Sequence, residues 1–339
     1  MTFKTILAGS LEFGSARSFE QVNKMFEHRI ENFYKTDIFI DPEAVFDEDA
    51  QMLHISRLVT QSDDKTWRNT ISLLEFVAQY AIAGTINAWM VENGNLLRQA
   101  TIEPKSDKSA IQSFLRGRQL VEEAGRETEA MEALNQAIEK YERHALAYER
   151  RGYVNYQLQN FEDAIYDFSK SISLNPNHAE AYLGRGMVHM TLKQYEQAVP
   201  DLLQTTRHSI PLQPIYWKAR RLKGECHLKL EQYEKAISEY RFFTNRSFEE
   251  DDPNFAFRKK AFLDYGRALL GKKRYKEAVK AFSDGLSIET GKEDAILADQ
   301  LLLRGIAIQK AGENGYIKDW KEAASLGSKR AAELLETAD

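Results

Sequence analysis

The stretch YERRGYVNYQLQNFEDAIYDFSKSISLNP, residues 148–176, holds a pattern that recurs along most of the chain. Tyr148 is followed by Gly152, Phe161, Ala164, Phe168 and Pro176; at the same offsets one repeat further on stand Tyr182, Gly186, Tyr195, Ala198 and Leu202. The frame returns as Gly224, Tyr233, Ala236 and Tyr240, and again as Phe262, Gly266, Tyr275, Ala278 and Phe282. Degenerate copies flank these: Gly117, Ala130 and Ala137 before, with one residue inserted, and Gly305 and Trp320 after, followed by an alanine-rich helix ending near Thr337. Successive glycines lie 35, 34, 38, 42 and 39 residues apart, so only the loops between units vary.

These offsets predict two short amphipathic helices per unit joined by a tight turn, such as 146–157 and 161–174. Glycine and alanine mark close approach of the paired helices, and the aromatics fill the space between units. One unit cannot bury its own apolar face, so the units must stack, with atypical copies as caps.

The spacing resembles the tetratricopeptide repeat family over about residues 110–339. The resemblance implies a mainly α fold, an α-solenoid of about six helix pairs whose concave inner wall binds peptides or partner proteins. It further implies that the first helix of each unit lines that wall. Carried onto this sequence, the partner-binding positions include Arg118, Arg150, Tyr153, Tyr156, Met187, Met190, Arg221, Lys229 and Arg267, with Lys218 and Lys260 further up the same helices. Tyr153, Tyr156, Met187 and Met190 would make an apolar, adaptable middle, with Arg and Lys toward the later units; methionine suits irregular surfaces and arginine suits carboxylates. The expected partner is a polypeptide with hydrophobic anchors and acidic groups. Some family members clamp a chaperone's C-terminal carboxylate with Lys and Asn; here those offsets carry Glu149, Tyr153, Leu183 and Met187, which argues against that use. Two insertions interrupt the frame, Thr206 to Pro214 and the acidic Phe248 to Asn254, and read as loops on one edge, the second alternatively as a contact for a basic partner.

Residues 1–104 lack the repeat and form a separate domain, joined to 105–339 through a short polar linker around Pro104, Ser106 and Asp107. A strand over 2–13 precedes a helix opened by a Ser18/Gln21 capping box, with Phe19, Val22, Phe26, Ile30 and Phe33 on its apolar face. Strands follow near 39–46 and 51–59. A second helix runs from about Lys65 to Ala83, stopped by Gly84, and Asn93-Gly94 turns a final hairpin. The order is βαββαββ, a small α+β domain with helices on one face of an antiparallel sheet. It is open to dimerisation, a second partner or docking on the solenoid.

With 46 Lys plus Arg against 51 Asp plus Glu, a net charge of −5 and 43% hydrophobic residues, the chain is globular and does not read as a nucleic-acid binder. The head carries −6 (9 basic, 15 acidic residues over 1–104) and the remainder +1. The longest apolar run is too short to span a membrane, and the start lacks a signal-peptide pattern, so the expected location is cytoplasmic. Cys226 is the sole thiol, which excludes an internal disulfide framework and a multi-thiolate metal site. No phosphate loop, dinucleotide fingerprint, H-E-x-x-H, C-x-x-C or nucleophile elbow is present. The acidic run 41–52 lacks the glycine and glutamate of a calcium loop. His189 and His227 follow repeat glycines and read as packed structural histidines. No catalytic residue, metal or cofactor is expected. The primary reading is an adaptor or scaffold. The alternatives are a structural subunit of a larger assembly and an enzyme in the head using His54 or His28 with an acidic residue.

Overall fold

The computed structural model describes residues 1–339 except 36, 106–107, 289–293 and 338–339, so Ser106 and Asp107 of the linker lie outside the described residues. The chain divides into two units, Met1–Gly184 and Arg185–Asp339.

In the first unit, β1 (Phe3–Glu12), β2 (Phe46–Asp47), β3 (Met52–Ser62), β4 (Ala83–Glu92) and β5 (Asn95–Ile102) form an antiparallel sheet of order β2-β3-β1-β4-β5. Alternate residues of these strands, among them Leu7, Leu11, Leu53, Ile86 and Ala88, share one core with α1 (Ala16–Arg29) and α3 (Asp64–Ala78) through Val22, Phe26, Leu74 and Val77. Asn93 and Gly94 take positive φ of 51° and 85°, the conformation a two-residue hairpin turn requires, and connect β4 to β5 as expected.

Four local expectations need correction. The cap of α1 is Ser15, whose hydroxyl accepts from the Ser18 amide, so the helix starts before the Ser18/Gln21 box. Phe33 is 68% exposed, because the end of that helix widens into a π-turn over Ile30–Tyr34 and rotates it off the apolar face. The strand expected over 39–46 shrinks to the two residues of β2: Asp41 caps a single helical turn, α2 (Pro42–Val45), and the proline sits where helix entry tolerates it. Finally, α3 ends at Ala78, where Tyr80 and Ala81 donate to Val77 and Ala78 in a tightened last turn and Ile82 donates to Glu12, starting the sheet ladder; Gly84 lies in β4 opposite Leu11.

Helix pairs fill the rest, as the repeat predicts. In the first unit these are α4 (Ser109–Val121) with α5 (Glu127–Lys140), then α6 (Ala145–Gln157) with α7 (Phe161–Leu174). The unit boundary falls inside α8 (Ala179–Thr191), which precedes α9 (Tyr195–His208). The second unit continues with α10 (Pro214–Lys229) and α11 (Tyr233–Thr244), α12 (Arg258–Gly271) and α13 (Tyr275–Leu286), then α14 (Asp294–Lys310), α15 (Tyr316–Ser325) and the closing α16 (Lys329–Glu336). Along the chain, consecutive helix pairs of tetratricopeptide type follow a small α+β head.

Ring-to-backbone contact sets the pairing. A Cβ on Gly266 would stand 2.2 Å from the Phe282 ring, and one on Gly184 would stand 2.3 Å from Phe168, so glycine there lets a large ring lie against the neighbouring helix. Phe168, Tyr240, Phe282 and Trp320 are fully buried. Between the helices of successive pairs the chain turns through one left-handed residue, at Gln159, Lys193, Glu231 and Lys273, with φ of 61°, 59°, 54° and 58°. The next amide then reaches back five residues, as Asn160 to Asn155 at 2.8 Å and Arg274 to Leu269 at 2.9 Å, closing orphan carbonyls of the first helix.

Candidate partner-binding face

Within the first unit the head contacts the first two helix pairs. Arg118 Nη1 donates to Glu103 Oε1 at 2.8 Å, Tyr141 Oη donates to Glu12 Oε2 at 2.6 Å, and His54 Nε2 lies 3.3 Å from Asn177 Nδ2. Burial raises the Glu12 carboxyl, an effect the Tyr141 hydrogen bond partly offsets, and lowers His54. Arg118, read as partner-binding, is therefore engaged by the chain's own head. His28, the other histidine considered for chemistry in the head, lies near the Phe33 ring at the end of α1.

The remaining expected positions of the first unit lie on α6. Arg150 pairs with Glu149 at 3.2 Å and stays partly exposed, while burial raises Glu149 itself. Tyr153 is 36% exposed. Tyr156 is half-buried, its ring 6.2 Å from that of Phe161.

In the second unit the first helices share one charged layer. Glu225 of α10 lies 3.7 Å from Lys260 of α12; Lys260 also meets Asp264 at 2.8 Å. Asp264 accepts from Arg267 at 3.0 Å, and Arg267 reaches Asp299 of α14 at 2.7 Å. This ladder ties three successive first helices together and occupies two of the expected partner-binding cations. Met187 and Met190, on the part of α8 in this unit, are half-buried, and Lys229 is exposed on the last turn of α10.

Lys218 and Arg221 differ from the rest. One helical turn apart on α10, neither has a carboxylate within 4.0 Å among the described residues. Arg221 is only 7% exposed, its Nε has no hydrogen-bond partner, and its guanidinium lies 4.0 Å from the centre of the Phe257 ring. Burial lowers both cations, and the neighbouring Arg221 charge lowers Lys218 further. Phe257 ends a short 3-10 turn, Phe255–Phe257, that follows the second insertion, in which Phe248 packs on Trp217 and Phe243 and Asn254 donates to the Pro214 carbonyl. The arginine at this place was legible in the repeat frame. Phe257 was not, because its loop falls outside the frame.

The histidines after the repeat glycines act as turn supports: His189 and His227 each place Nδ1 2.9 Å from the side-chain oxygen of Gln194 and Gln232. Cys226 is buried and its thiol is pushed up to about 12, chiefly by that burial, so it carries no reactive thiolate. Sequence reasoning missed a recurring pair, Arg151 with Asp167, Arg185 with Asp201 and Arg304 with Asp319, each bidentate at 2.6 to 2.9 Å. An arginine just before a repeat glycine, with an aspartate 15 or 16 residues on, was its available signal. Among the described residues no cluster of His, Cys, Asp or Glu is arranged to hold a metal ion, and no helix is long and apolar enough to cross a membrane.

Profiles of the tetratricopeptide repeat family match residues 145–178 and 183–241. The chain contains tetratricopeptide repeats. Among solved structures, YrrB, described as a TPR protein with an unusual peptide-binding site, aligns with a TM-score of 0.52 at 18% identity, covering 61% of this chain and 99% of its own. Pseudomonas aeruginosa pilF aligns with the same TM-score at 16% identity, covering 69% of this chain and 99% of its own. At such identities the likeness concerns the fold. A search of curated protein sequences finds no significant match.

Proposed function

We propose that this chain is a non-catalytic adaptor whose repeats dock a partner polypeptide on the first-helix face of the second unit. Tetratricopeptide repeats support protein–protein interaction in general, and YrrB, of the same fold, is described by its peptide-binding site. The observation that carries the reading is the contrast within one face: Lys260 and Arg267 are neutralised by Asp264, Glu225 and Asp299, while Lys218, Arg221 and Lys229 have no carboxylate within 4.0 Å among the described residues. Cations without a carboxylate favour an acidic segment, and the half-buried Met187 and Met190 on α8 suit apolar anchors, since electrostatic complementarity steers docking and apolar contact supplies affinity.

The test is selection of peptides from a random display library against the full chain. Selected peptides should be acidic, should protect α10 to α14 from hydrogen exchange, and should lose about tenfold in affinity to the Lys229→Glu variant, a change of ~1.4 kcal/mol. Protection confined to the head, or binding indifferent to Lys229→Glu, would end the adaptor reading of this face.

A further inference from the structure

Arg221 combines three properties that seldom coexist in a resting side chain. It is more than nine-tenths buried, its Nε donor is unpartnered, and no carboxylate lies within 4.0 Å of it among the described residues. A buried guanidinium without an anion is costly, and the cost is relieved when a charged acceptor arrives. Lys218, one turn before, brings a second half-buried cation to the same place. The Tyr240 hydroxyl, also buried and unpartnered, feels the Arg221 charge along with those of Asp264 and Glu225. Phe257 covers the guanidinium from the side of the insertion and is itself 40% exposed, so the group is walled but reachable past a surface ring.

We propose that Lys218, Arg221 and Phe257 form a pocket for one glutamate side chain of the docked polypeptide. This deepens the docking reading and rests on it. The charge balance selects a monoanion: Asp264 and Glu225 lie close enough to act on Arg221 and would oppose the second charge of a phosphate. Depth selects a side chain over a chain terminus. A terminal carboxylate is fixed to the backbone by a single bond, whereas glutamate carries its carboxylate on a methylene stem that can pass the Phe257 ring and reach a donor buried beneath it. The stem would lie against the aromatic face while the carboxylate takes Nε and a terminal amine of Arg221, with Lys218 as second partner.

The experiment follows the arginine Nε–Hε signals of the ¹⁵N-labelled full chain by NMR, the Arg221 signal being assigned by its loss in Arg221→Lys. N-acetyl-glutamate α-amide is the probe. It should shift the Arg221 signal saturably, and Lys218→Met, which keeps the stem and leaves Arg221 in place, should weaken binding about tenfold. N-acetyl-glutamine α-amide, the neutral isostere, should leave the signal unmoved. An absent shift with the glutamate probe overturns the proposal, as does an equal shift with the glutamine probe. Tighter binding of N-acetyl-alanine, which offers only a terminal carboxylate, or of inorganic phosphate would also overturn it by assigning the pocket to another anion. If library peptides still protect α10 to α14 while the glutamate probe fails, docking stands and the pocket assignment alone falls.

Discussion

Arg151 and Asp167 show how a repeat residue can be structural without belonging to the apolar frame. Asp167 is buried, accepts two bonds from Arg151 and a third from Asn155 at 3.0 Å, and lies against the close contact between α6 and α7. Replacing it with alanine strands a half-buried guanidinium and a buried amide. Asp167→Ala should therefore cost about 3 kcal/mol in urea denaturation with unchanged slope, since breaking a buried pair leaves an uncompensated charge. A loss below the ~1 kcal/mol of a surface pair would show that water already screens it. Lys273 offers the opposite sign. Its left-handed backbone strains a side chain by ~1–2 kcal/mol, and glycine gives back part of that relief as unfolded-chain entropy, ~0.4–1 kcal/mol. Lys273→Gly should thus gain about 0.5 kcal/mol, while Lys273→Ala, which keeps the strain, should gain nothing. Both features follow from the spacing, yet neither is visible from one copy. The arginine–aspartate pair emerges only when three units are superposed, and the strained turn carries no preferred residue, being Gln, Lys or Glu in turn.

At the scale of elements, α6 is capped by His144, whose Nδ1 accepts from the Ala147 amide at 3.3 Å. The ring is 1% exposed, 4.6 Å from the Phe114 ring, and burial pushes its pKa down to about 4. A group lowered from the ordinary 6.5 stabilises the fold fully above that value, and the contribution is lost as pH falls toward 4, where the folded form must accept a proton. The difference in stability between the native chain and His144→Asn, which keeps a cap acceptor, should shrink by up to ~3 kcal/mol between pH 7 and pH 4. A difference that stays constant with pH would mean the ring is hydrated. Glu12, raised by burial, contributes with the reverse sign, so total stability is a poorer readout than this difference. The helix pairs were legible because each repeats its small and large positions at fixed offsets. The head was legible in order but not in detail: Asp41 and Pro42 prefer a helical turn over the strand their apolar neighbours suggest, and the end of α3 is set by a hydrogen bond from Ile82 to the distant Glu12. Phe257 escaped for a related reason, since only the fold brings the short turn after the insertion over Arg221.

For the whole molecule, the division into two units predicts how it comes apart. A solenoid is held by contacts between neighbours, so its parts need not melt together. Trp67 and Trp89 report on the first unit, Trp217 and Trp320 on the second. Urea curves of a Trp67→Phe/Trp89→Phe variant and a Trp217→Phe/Trp320→Phe variant should have separate midpoints; superposable curves would show one cooperative body. The contact of Phe168 with Gly184 also bears on how such a chain can change length. Phe168 needs a residue without a side chain two places before the next repeat glycine, and only the unit around Gly186 supplies one; the unit around Gly152 has Arg150 there. A tandem duplication of residues 145–178 would drive that arginine into the ring, so gene duplication at this point yields a misfit, and the sequential order of the second and third units is fixed by a single missing methyl group.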